Sequence, residues 1–206
     1  MYARSVCILD YGSGNVKSVF NALRTIGCNV QISNSPEIMA NASHLILPGV
    51  GSYEKAMEKI NLLIPLDALY REVQIGKPVL GICVGMQVFS STGREFGNWN
   101  GLDLIKNSEV SELNTELSLP HVGWNSVAIK KKHKFLDSLS DNPDFYFVHG
   151  YAYSTIQSEN ILASCDYGIT FPAVISQGNL IGTQFHPEKS QKNGLKVLTN
   201  FVEWLP

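Results

Sequence analysis

The sequence predicts an α/β protein with a doubly wound, mostly parallel sheet that continues into an antiparallel extension. Two observations support this prediction. In the first half, short apolar runs alternate with segments of helical periodicity, whereas aromatic, β-branched and turn residues dominate the second half. Strands that alternate with helices form parallel sheets covered on both faces, and such sheets bind ligands at the carboxyl ends of their strands. Residues that directly follow the strands of the first half are therefore the first candidates for a functional site.

In the first half, four apolar runs of strand length are separated by segments with helical spacing. The predicted strands are residues 6–9, 29–33, 44–47 and 79–82. The predicted helices begin at Asn15, Pro36, Tyr53 and Leu66. The first helix shows the pattern most clearly, because its apolar residues fall at positions 16, 19, 20, 23 and 26 and Gly27 follows as a stop signal.

The second half predicts an antiparallel continuation of the sheet and a last helix. Strands are predicted over residues 145–149, 161–165, 173–176 and 180–185, and Gln177-Gly178-Asn179 is typical of a hairpin turn. Ser190 is predicted to cap the last helix, which carries Leu195, Leu198, Val202 and Leu205 on one stripe.

Composition and charge argue against several classes of protein. The chain has 206 residues, and sixteen Lys and Arg against eighteen Asp and Glu give a net charge of −2. A chain without a positive field is a poor binder of nucleic acid. The first apolar run spans only residues 6–9, which is too short for a signal peptide or a membrane span. We therefore expect a single domain over residues 1–206 that acts in the cytoplasm and binds neither nucleic acid nor a membrane.

The four cysteines are widely scattered, and none has a partner at a spacing typical of a zinc site. In a chain of this length the pattern also argues against a disulfide framework. We therefore expect reduced thiols, no metal and no cofactor. Core positions are predicted for Cys7, Cys28 and Cys165, whereas Cys83 lies in a different setting.

Gly81-Ile82-Cys83-Val84-Gly85 places a nucleophile between two glycines, directly after a predicted strand and before a helical segment. This is the setting of a nucleophile elbow, with cysteine in place of serine. The turn is so sharp that a Cβ atom at either glycine would collide with the neighbouring chain. At the N-terminus of the following helix, the helix dipole favours the thiolate, which is the reactive form of cysteine. Cys83 is therefore the predicted nucleophile.

A thiolate nucleophile needs a proton carrier, and His186-Pro187-Glu188 is the best candidate among the five histidines. Proline biases the preceding residue towards an extended conformation, in which residues i and i+2 project to the same side. Glu188 can therefore reach the imidazole of His186, fix its tautomer and stabilise its charged form. The sequence thus predicts a triad of Cys83, His186 and Glu188.

Acyl transfer also requires hydrogen-bond donors for the negative charge that develops on the carbonyl oxygen. The loop Pro48-Gly49-Val50-Gly51 follows the third predicted strand and can present backbone N–H groups. The N–H of Val84, directly after the nucleophile, is the second predicted donor. A rival interpretation is dinucleotide binding at Gly12-Ser13-Gly14, but the third glycine of that fingerprint would fall at Lys17.

Several segments, in matching order along nearly the whole chain, carry a resemblance to a known family. They are Asp10-Tyr11-Gly12-Ser13-Gly14-Asn15, Leu47-Pro48-Gly49-Val50-Gly51-Ser52, Gly81-Ile82-Cys83-Val84-Gly85-Met86-Gln87, Pro120-His121-Val122-Gly123-Trp124-Asn125, Tyr146-Phe147-Val148-His149 and Gln184-Phe185-His186-Pro187-Glu188-Lys189-Ser190. These segments resemble those of the class I glutamine amidotransferases. Within that family they are most similar to the glutaminase subunits of imidazole glycerol phosphate synthases.

The resemblance implies a flavodoxin-like fold in which Cys83 attacks the side-chain amide of L-glutamine and forms a thioester, with release of ammonia. His186 would move the protons, Glu188 would orient His186, and water would release glutamate. The implied oxyanion donors are Val50, Gly51 and Val84. The implied substrate contacts are Gly49, Gln87, Glu95 and His149.

The resemblance also implies a partner. In this family the ammonia passes to a separate (β/α)8-barrel cyclase subunit, with which the glutaminase forms a heterodimer, and the product enters histidine biosynthesis. Asn15, His121 and Trp124 are expected on the face that meets this partner.

Two features depart from the family pattern. Gly150 stands where the family usually has serine, and residues 89–116 differ most from the expected sequence. Relatives in surface-sugar pathways donate ammonia to a nucleotide-sugar amidotransferase instead. Two alternatives therefore stay open: this second acceptor, and a catalytically silent subunit that only stabilises a synthase.

Overall fold

The computed structural model describes residues 4–206, which form two sheets and six α-helices. The strands are β1 (Ser5–Ile8), β2 (Asn29–Ile32), β3 (His44–Leu47), β4 (Val79–Ile82), β5 (Ser90–Gly93), β6 (Trp99–Asn100), β7 (Ile105–Glu112), β8 (His121–Ile129), β9 (Asp144–His149), β10 (Tyr151–Thr155), β11 (Ile161–Asp166), β12 (Thr170–Gln177) and β13 (Leu180–Thr183). The helices are α1 (Val16–Thr25), α2 (Pro36–Asn41), α3 (Tyr53–Leu63), α4 (Leu66–Gln74), α5 (Val84–Gln87) and α6 (Gln191–Glu203).

The larger sheet has nine strands, and its parallel half confirms the predicted fold class. The strands follow one another in the order β2-β1-β3-β4-β13, and every pair in this half is parallel. Strands β3, β4 and β13 are buried along their whole length, as expected for apolar strands between two helical layers. The chain moves outward from β1 to β2 and then returns to the other side of β1, and a crevice at such a switch point is the usual ligand site.

The antiparallel half of the sheet also confirms the prediction. β12, β11, β8 and β9 continue the sheet beyond β13 in antiparallel pairs. The hairpin between β12 and β13 turns at Gly178, whose φ of 57° is a conformation that favours glycine. Although β9 lies at the end of the strand order, the carbonyl of Tyr146 on β9 accepts a hydrogen bond of 2.9 Å from the backbone N–H of His186. This contact brings the second half of the chain to the carboxyl edge of the parallel strands.

A second sheet, with the order β10-β7-β5-β6, occupies the region that the sequence left unassigned. β5 pairs in parallel with β7, whereas β10 pairs antiparallel to β7 and β6 antiparallel to β5. The strands β8 and β10 were also not predicted. β5 is Ser-Ser-Thr-Gly, and β7 is rich in serine and charged residues, so the apolar pattern of both strands is weak. Pairing with distant segments stabilises them instead.

Two predictions about the last helix were wrong. Ser190 precedes α6, but its hydroxyl does not cap the helix. Instead, the hydroxyl donates to the carbonyl of His186 over 2.6 Å and accepts from the backbone N–H of Tyr146 over 3.0 Å. The helix ends at Glu203, and Leu205 lies beyond it with its side chain exposed, because the chain becomes extended at Trp204. None of the helices in residues 4–206 is long and apolar enough to cross a membrane.

Candidate active site

Cys83 lies directly after β4 in a strained backbone conformation. Its φ of 54° and ψ of −113° belong to a region that side-chain-bearing residues rarely adopt, as expected of a nucleophile elbow. The glycines confirm the predicted crowding: a Cβ atom on Gly81 would lie 2.5 Å from the carbonyl oxygen of Gly85, and one on Gly85 would overlap the carbonyl oxygen of Leu47. The helix that follows, α5, has only four residues. The elbow is therefore formed by close packing of β3, β4 and α5.

His186 and Glu188 form a buried pair. Nδ1 of His186 lies 2.8 Å from Oε1 of Glu188, and both side chains have no exposed surface. His186 is extended, as predicted, but Glu188 reaches the ring through a single 3₁₀ turn (Pro187–Lys189) rather than along an extended chain. The predicted pairing is therefore confirmed, while the predicted backbone geometry is wrong at Glu188.

Charge and hydrogen bonding shift the pKa values of this pair in opposite directions. Burial lowers the pKa of His186, but the interactions with Cys83 and with the carboxylate of Glu188 outweigh that effect and raise it. Burial alone would raise the pKa of Glu188, but hydrogen bonds and the charge of His186 lower it overall. Nε2 of His186 has no hydrogen-bond partner within residues 4–206. With a proton held at Nδ1 by the carboxylate, Nε2 is the atom that can exchange a proton with Cys83.

Asn15 supports Glu188 from the loop between β1 and α1. Its Nδ2 donates to Oε1 of Glu188 over 2.9 Å, and its Oδ1 accepts a hydrogen bond of 2.7 Å from the hydroxyl of Ser13. The side chain of Asn15 is 3% exposed. Its amide is directed inward to the triad carboxylate, and the predicted contact of this residue with a partner stays a prediction.

The glycine-rich loop after β3 lies beside the elbow. Val50, Gly51 and Val84 border the same cavity as Cys83, as expected for residues that supply oxyanion donors. The hydroxyl of Tyr11 donates to the carbonyl of Pro48 over 2.7 Å and fixes the start of this loop.

Gly49 is not among the residues that border this cavity, and its contact with substrate stays a prediction. A Cβ atom at this position would overlap the backbone nitrogen of Gly85 and lie 2.8 Å from the Tyr11 hydroxyl. The role of Gly49 is therefore to let the loop and the elbow approach each other closely.

A cavity of about 440 Å³ opens over the nucleophile. This volume is within the usual range for small-molecule sites. The predicted site residues that border it are Asn15, Val50, Gly51, Cys83, Val84, Gln87, Glu95, His149 and His186. The carboxyl ends of β1, β3, β4 and β13 thus contribute to one pocket, together with β9 and the turn after β5.

Gln87 and Glu95 are held in the wall of the cavity by internal hydrogen bonds. Nε2 of Gln87 donates to the carbonyl of Tyr151 over 2.8 Å and to Oε1 of Gln184 over 3.1 Å. Both N–H groups are used in this way, so the oxygen is the atom that the amide can offer to a ligand. Oε2 of Glu95 accepts from the backbone N–H of Tyr53 at the start of α3, over 2.6 Å, and burial raises the pKa of this carboxyl.

Sequence reasoning gave no role to Gln184, which contacts the nucleophile. Its side chain is fully buried, and Nε2 lies 3.7 Å from Sγ of Cys83, where it can donate a hydrogen bond. Residues i and i+2 of an extended segment share a side, so the position of Gln184 two residues before His186 was a usable signal.

His121 and His149 lie next to each other behind the cavity. His149 borders the cavity, as expected of a substrate-binding residue, whereas His121 is only 3% exposed. The predicted contact of His121 with a partner stays a prediction, but its side chain packs inside this chain. Its ring stacks on those of Phe147 and Tyr167, at centroid distances of 4.9 Å and 4.0 Å.

An open surface lies on β8 and β9 beside the cavity, and we call it the β8–β9 face. It consists of Val122 and Trp124, which are 56% and 49% exposed, and their cross-strand neighbours Val148 and Tyr146. The ring centroids of Trp124 and Tyr146 are 6.1 Å apart. Val148 also borders the cavity, so the β8–β9 face is continuous with the pocket. Of the three residues predicted at the partner face, Trp124 is the one with an exposed side chain.

A family model described as "Glutamine amidotransferase class-I" matches residues 7–204. The chain belongs to the class I glutamine amidotransferase family. The match covers both sheets and every residue of the triad, so the second sheet is part of this amidotransferase rather than an addition to it.

Curated relatives of this amidotransferase share its length as well as its sequence. The chain is 46% identical over 203 residues to imidazole glycerol phosphate synthase subunit HisH of Methanosarcina acetivorans, covering 97% of this chain and 98% of the relative. It is 40% identical over 200 residues to the protein of the same name from Oceanobacillus iheyensis, covering 97% and 99%. The crystal structure of a glutamine amidotransferase from Thermotoga maritima has the same fold, with a TM-score of 0.64 at 16% identity over 98% of this chain and 82% of that one.

No group of three or more His, Cys, Asp or Glu side chains that could hold a metal ion occurs within residues 4–206. In the amidotransferase cavity, Gln87 and Glu95 are held by internal hydrogen bonds, whereas Nε2 of His186 has no partner within these residues. What the pocket offers to a ligand is a thiol, an imidazole nitrogen, backbone N–H groups and a carboxylate.

Proposed function

We propose that this chain hydrolyses L-glutamine to glutamate and ammonia, and that the ammonia passes to a (β/α)8-barrel cyclase subunit that makes imidazole glycerol phosphate. The observation that carries the proposal is the buried His186–Glu188 pair beside a cysteine elbow, in a chain whose relatives are named as subunits of imidazole glycerol phosphate synthase. The same relatives favour the cyclase over a nucleotide-sugar amidotransferase as the acceptor.

The proposed chemistry uses Cys83, His186 and Glu188 in sequence. Nε2 of His186 takes the thiol proton, and Sγ of Cys83 forms a bond to the amide carbon of glutamine. The negative oxygen of the tetrahedral intermediate accepts hydrogen bonds from backbone N–H groups of Val84 and of the loop at Val50 and Gly51. His186 then returns the proton to the nitrogen, the C–N bond breaks, and ammonia leaves a thioester. Water attacks the thioester with His186 as base, which releases glutamate and restores the thiol.

Substrate recognition is proposed for the far wall of the cavity. The free oxygen of Glu95 can accept from the α-ammonium group of glutamine, because its other oxygen is already bound to the N-terminus of α3. The oxygen of Gln87 and the backbone of residues 149–151 complete this wall.

The β8–β9 face is the proposed contact with the cyclase. It is apolar, it is exposed, and it borders the cavity in which ammonia forms. Exposed aromatic residues such as Trp124 commonly anchor protein interfaces. We further propose that residues 1–206 act as a single domain in the cytoplasm, where the four buried thiols remain reduced.

Glutamate release, measured for the chain alone and with the cyclase subunit of the same organism, tests the proposal. The cyclase is expected to stimulate turnover of the wild type, and Cys83→Ala is expected to abolish turnover without preventing assembly with the cyclase. Undiminished turnover in Cys83→Ala would contradict the chemistry. Stimulation by a nucleotide-sugar amidotransferase, and not by the cyclase, would show that the nucleotide-sugar amidotransferase receives the ammonia.

Trp124→Ala provides a separate test of the partner surface. It is expected to weaken binding of the cyclase by tenfold or more, about 1.4 kcal/mol, because tryptophan is enriched among the interface residues whose truncation costs most. Substitution of Leu62, an equally apolar but distant residue that is 80% exposed on α3, is the matched control and should leave binding unchanged.

A further inference from the structure

Two buried histidines outside the triad form a pair with a defined role. Residue 121 on β8 and residue 149 on β9 are direct cross-strand partners. Nδ1 of His121 lies 3.1 Å from Nε2 of His149, and their side chains are 3% and 6% exposed. Two imidazole nitrogens can form a hydrogen bond only if one carries a hydrogen and the other does not, so the pair requires a fixed arrangement of protons.

The surrounding acceptors and donors determine that arrangement. Nδ1 of His149 lies 2.9 Å from the carbonyl oxygen of Tyr151, which can only accept, so this nitrogen carries a hydrogen. Neutral His149 then has a bare Nε2, which accepts from Nδ1–H of His121. Nε2 of His121 is bare in turn, and it lies 3.3 Å from Nδ2 of Asn125, a donor. The orientation of the Asn125 amide is fixed, because Nδ2 also donates to the carbonyl of Asp166 and Oδ1 accepts from the backbone N–H of Ser126.

The environment keeps both rings neutral. His121 stacks on Phe147 and Tyr167, and the ring of Phe171 lies 4.9 Å from that of His149. Burial lowers the pKa of His121, and it lowers the pKa of His149 to about 3, an effect to which the charge of His186 adds. The single ring N–H of neutral His149 is directed to the carbonyl of Tyr151. His149 therefore cannot serve as a second proton carrier for the triad.

The chain of hydrogen bonds ends at the wall of the glutamine cavity. The carbonyl oxygen of Tyr151 accepts from both His149 Nδ1 and Gln87 Nε2. Residues 149–151 and Gln87 all border the cavity. Gly150 has no side chain to hold this segment, and a Cβ atom there would contact nothing within 4 Å. The backbone of this segment is held by strand pairing, because the carbonyl of Gly150 accepts from the backbone N–H of Leu113 over 2.9 Å and Tyr151 pairs with Glu112 on β7. The hydrogen bond from Nδ1 of His149 adds a side-chain contact that orients the Tyr151 carbonyl towards Gln87.

We propose that His121 is a positioning residue that, through His149, orients the Tyr151 carbonyl and Gln87 for glutamine binding. The proposal rests on the proposed function, because it assigns the wall of the same pocket. His121 itself does not contact the substrate. Its Nδ1–H holds His149 in the tautomer that binds Tyr151.

Two substitutions of His121 separate positioning from simple packing. His121→Asn retains an amide N–H at about the place of Nδ1, while it loses ring volume. His121→Phe retains the ring volume and the stacking, while it loses the donor and leaves Nε2 of His149 without a partner. Positioning therefore predicts that asparagine is the better replacement, whereas packing predicts that phenylalanine is.

Inactivation of Cys83 by 6-diazo-5-oxo-L-norleucine, a glutamine analogue, separates binding from reaction. The apparent inhibition constant reports binding of the analogue in the pocket, and the maximal rate of inactivation reports its reaction with Cys83. His121→Phe is expected to raise the inhibition constant about fivefold, within the range for one lost hydrogen bond, and to leave the maximal rate within about twofold. His121→Asn is expected to stay within about twofold of the wild type in both. The proposal would be overturned if His121→Phe left the inhibition constant unchanged. It would also be overturned if His121→Asn had a higher inhibition constant than His121→Phe.

Nitrogen NMR of the wild-type imidazoles tests the proton arrangement even if a variant does not fold. Both rings are expected to be neutral and protonated at Nδ1 between pH 6 and 8. Protonation at Nε2 of either ring would refute the proposal. Failure of the proposed function has a different signature, namely that glutamine does not protect the wild type from inactivation.

Discussion

Nδ2 of Asn15 and Oε1 of Glu188 are 2.9 Å apart, although 173 positions separate the two residues in the chain. The same carboxylate oxygen lies 2.8 Å from Nδ1 of His186. The loop after β1 therefore holds the triad carboxylate from one side while the histidine holds it from the other. A carboxylate with two donors on one oxygen has a fixed orientation, and it fixes the ring of His186 in turn.

Asn15→Ala is expected to lower kcat for glutamate release about tenfold or more, because a hydrogen bond to a charged group contributes about 1.5–3 kcal/mol. KM should change little, since Asn15 acts on the histidine rather than on substrate binding. Asn21→Ala, on the exposed side of α1, is the matched control. Equal kcat values for the two variants would show that Glu188 keeps its orientation without Asn15.

The glycines around the site should differ sharply in their tolerance of a side chain. Gly85→Ala is expected to lower the free energy of unfolding by about 3 kcal/mol or more, because the new Cβ atom would overlap the carbonyl oxygen of Leu47. Gly150→Ser restores the residue that the family usually has, and it should stay within about 0.5 kcal/mol of the wild type, since its Cβ would meet nothing within 4 Å. Urea unfolding measures both, and a tolerated Gly85→Ala would contradict the elbow geometry.

Gln184→Met and Gln184→Glu test the donor at the nucleophile. Both remove the N–H group that lies 3.7 Å from Sγ of Cys83, but glutamate still offers Gln87 an acceptor. Alkylation of Cys83 by iodoacetamide is expected to slow about tenfold in both variants, because both lose the hydrogen bond that stabilises negative charge on sulfur in the reaction. If the glutamate variant reacted as fast as the wild type, the role of Gln184 would be to hold Gln87 alone.

The His186–Glu188 pair predicts a pH window for stability. The lowered pKa of Glu188 adds stability above its ordinary value of 4.5, and this contribution is lost as the pH falls through the lowered pKa. The raised pKa of His186 adds stability that is complete below 6.5 and is lost as the pH rises through the raised pKa. The contribution of the pair is therefore complete between about pH 4.5 and 6.5.

The difference in unfolding free energy between the wild type and Glu188→Gln measures this window. It should be largest between about pH 4.5 and 6.5 and decline on either side. Glu109→Gln, which breaks a partly exposed pair with Arg94, is the control and should show a smaller effect. A difference that does not vary with pH would mean that the buried pair is not ionised.

The parallel strands, the elbow and the pairing of His186 with Glu188 could be predicted because their signals are local. A short apolar run marks a buried strand, and the glycines at 81 and 85 directly report crowding around Cys83. The pairing of His186 with Glu188 followed from their spacing, even though a 3₁₀ turn rather than an extended chain brings them together.

Which side chains of β8 are buried could not be predicted, because this strand reverses the usual burial of apolar and exposure of polar side chains. Val122 and Trp124 are exposed, whereas His121 and Asn125 point into a polar network. A sequence does not reveal that partners for buried polar groups exist elsewhere in the fold. The same limit placed Asn15 at the partner face, because its side chain is held by Glu188 from a distant part of the chain. The spacing of Gln184 from His186 indicated the side on which its amide lies, but not that the amide reaches Cys83.

Peptide mass spectrometry after reaction with 6-diazo-5-oxo-L-norleucine directly tests whether Cys83 is the nucleophile. We expect one equivalent of label on Cys83, none on Cys7, Cys28 or Cys165, and protection by L-glutamine. Label on another cysteine, or labelling of Cys83 that glutamine does not slow, would contradict the assignment of Cys83 as the nucleophile that attacks glutamine.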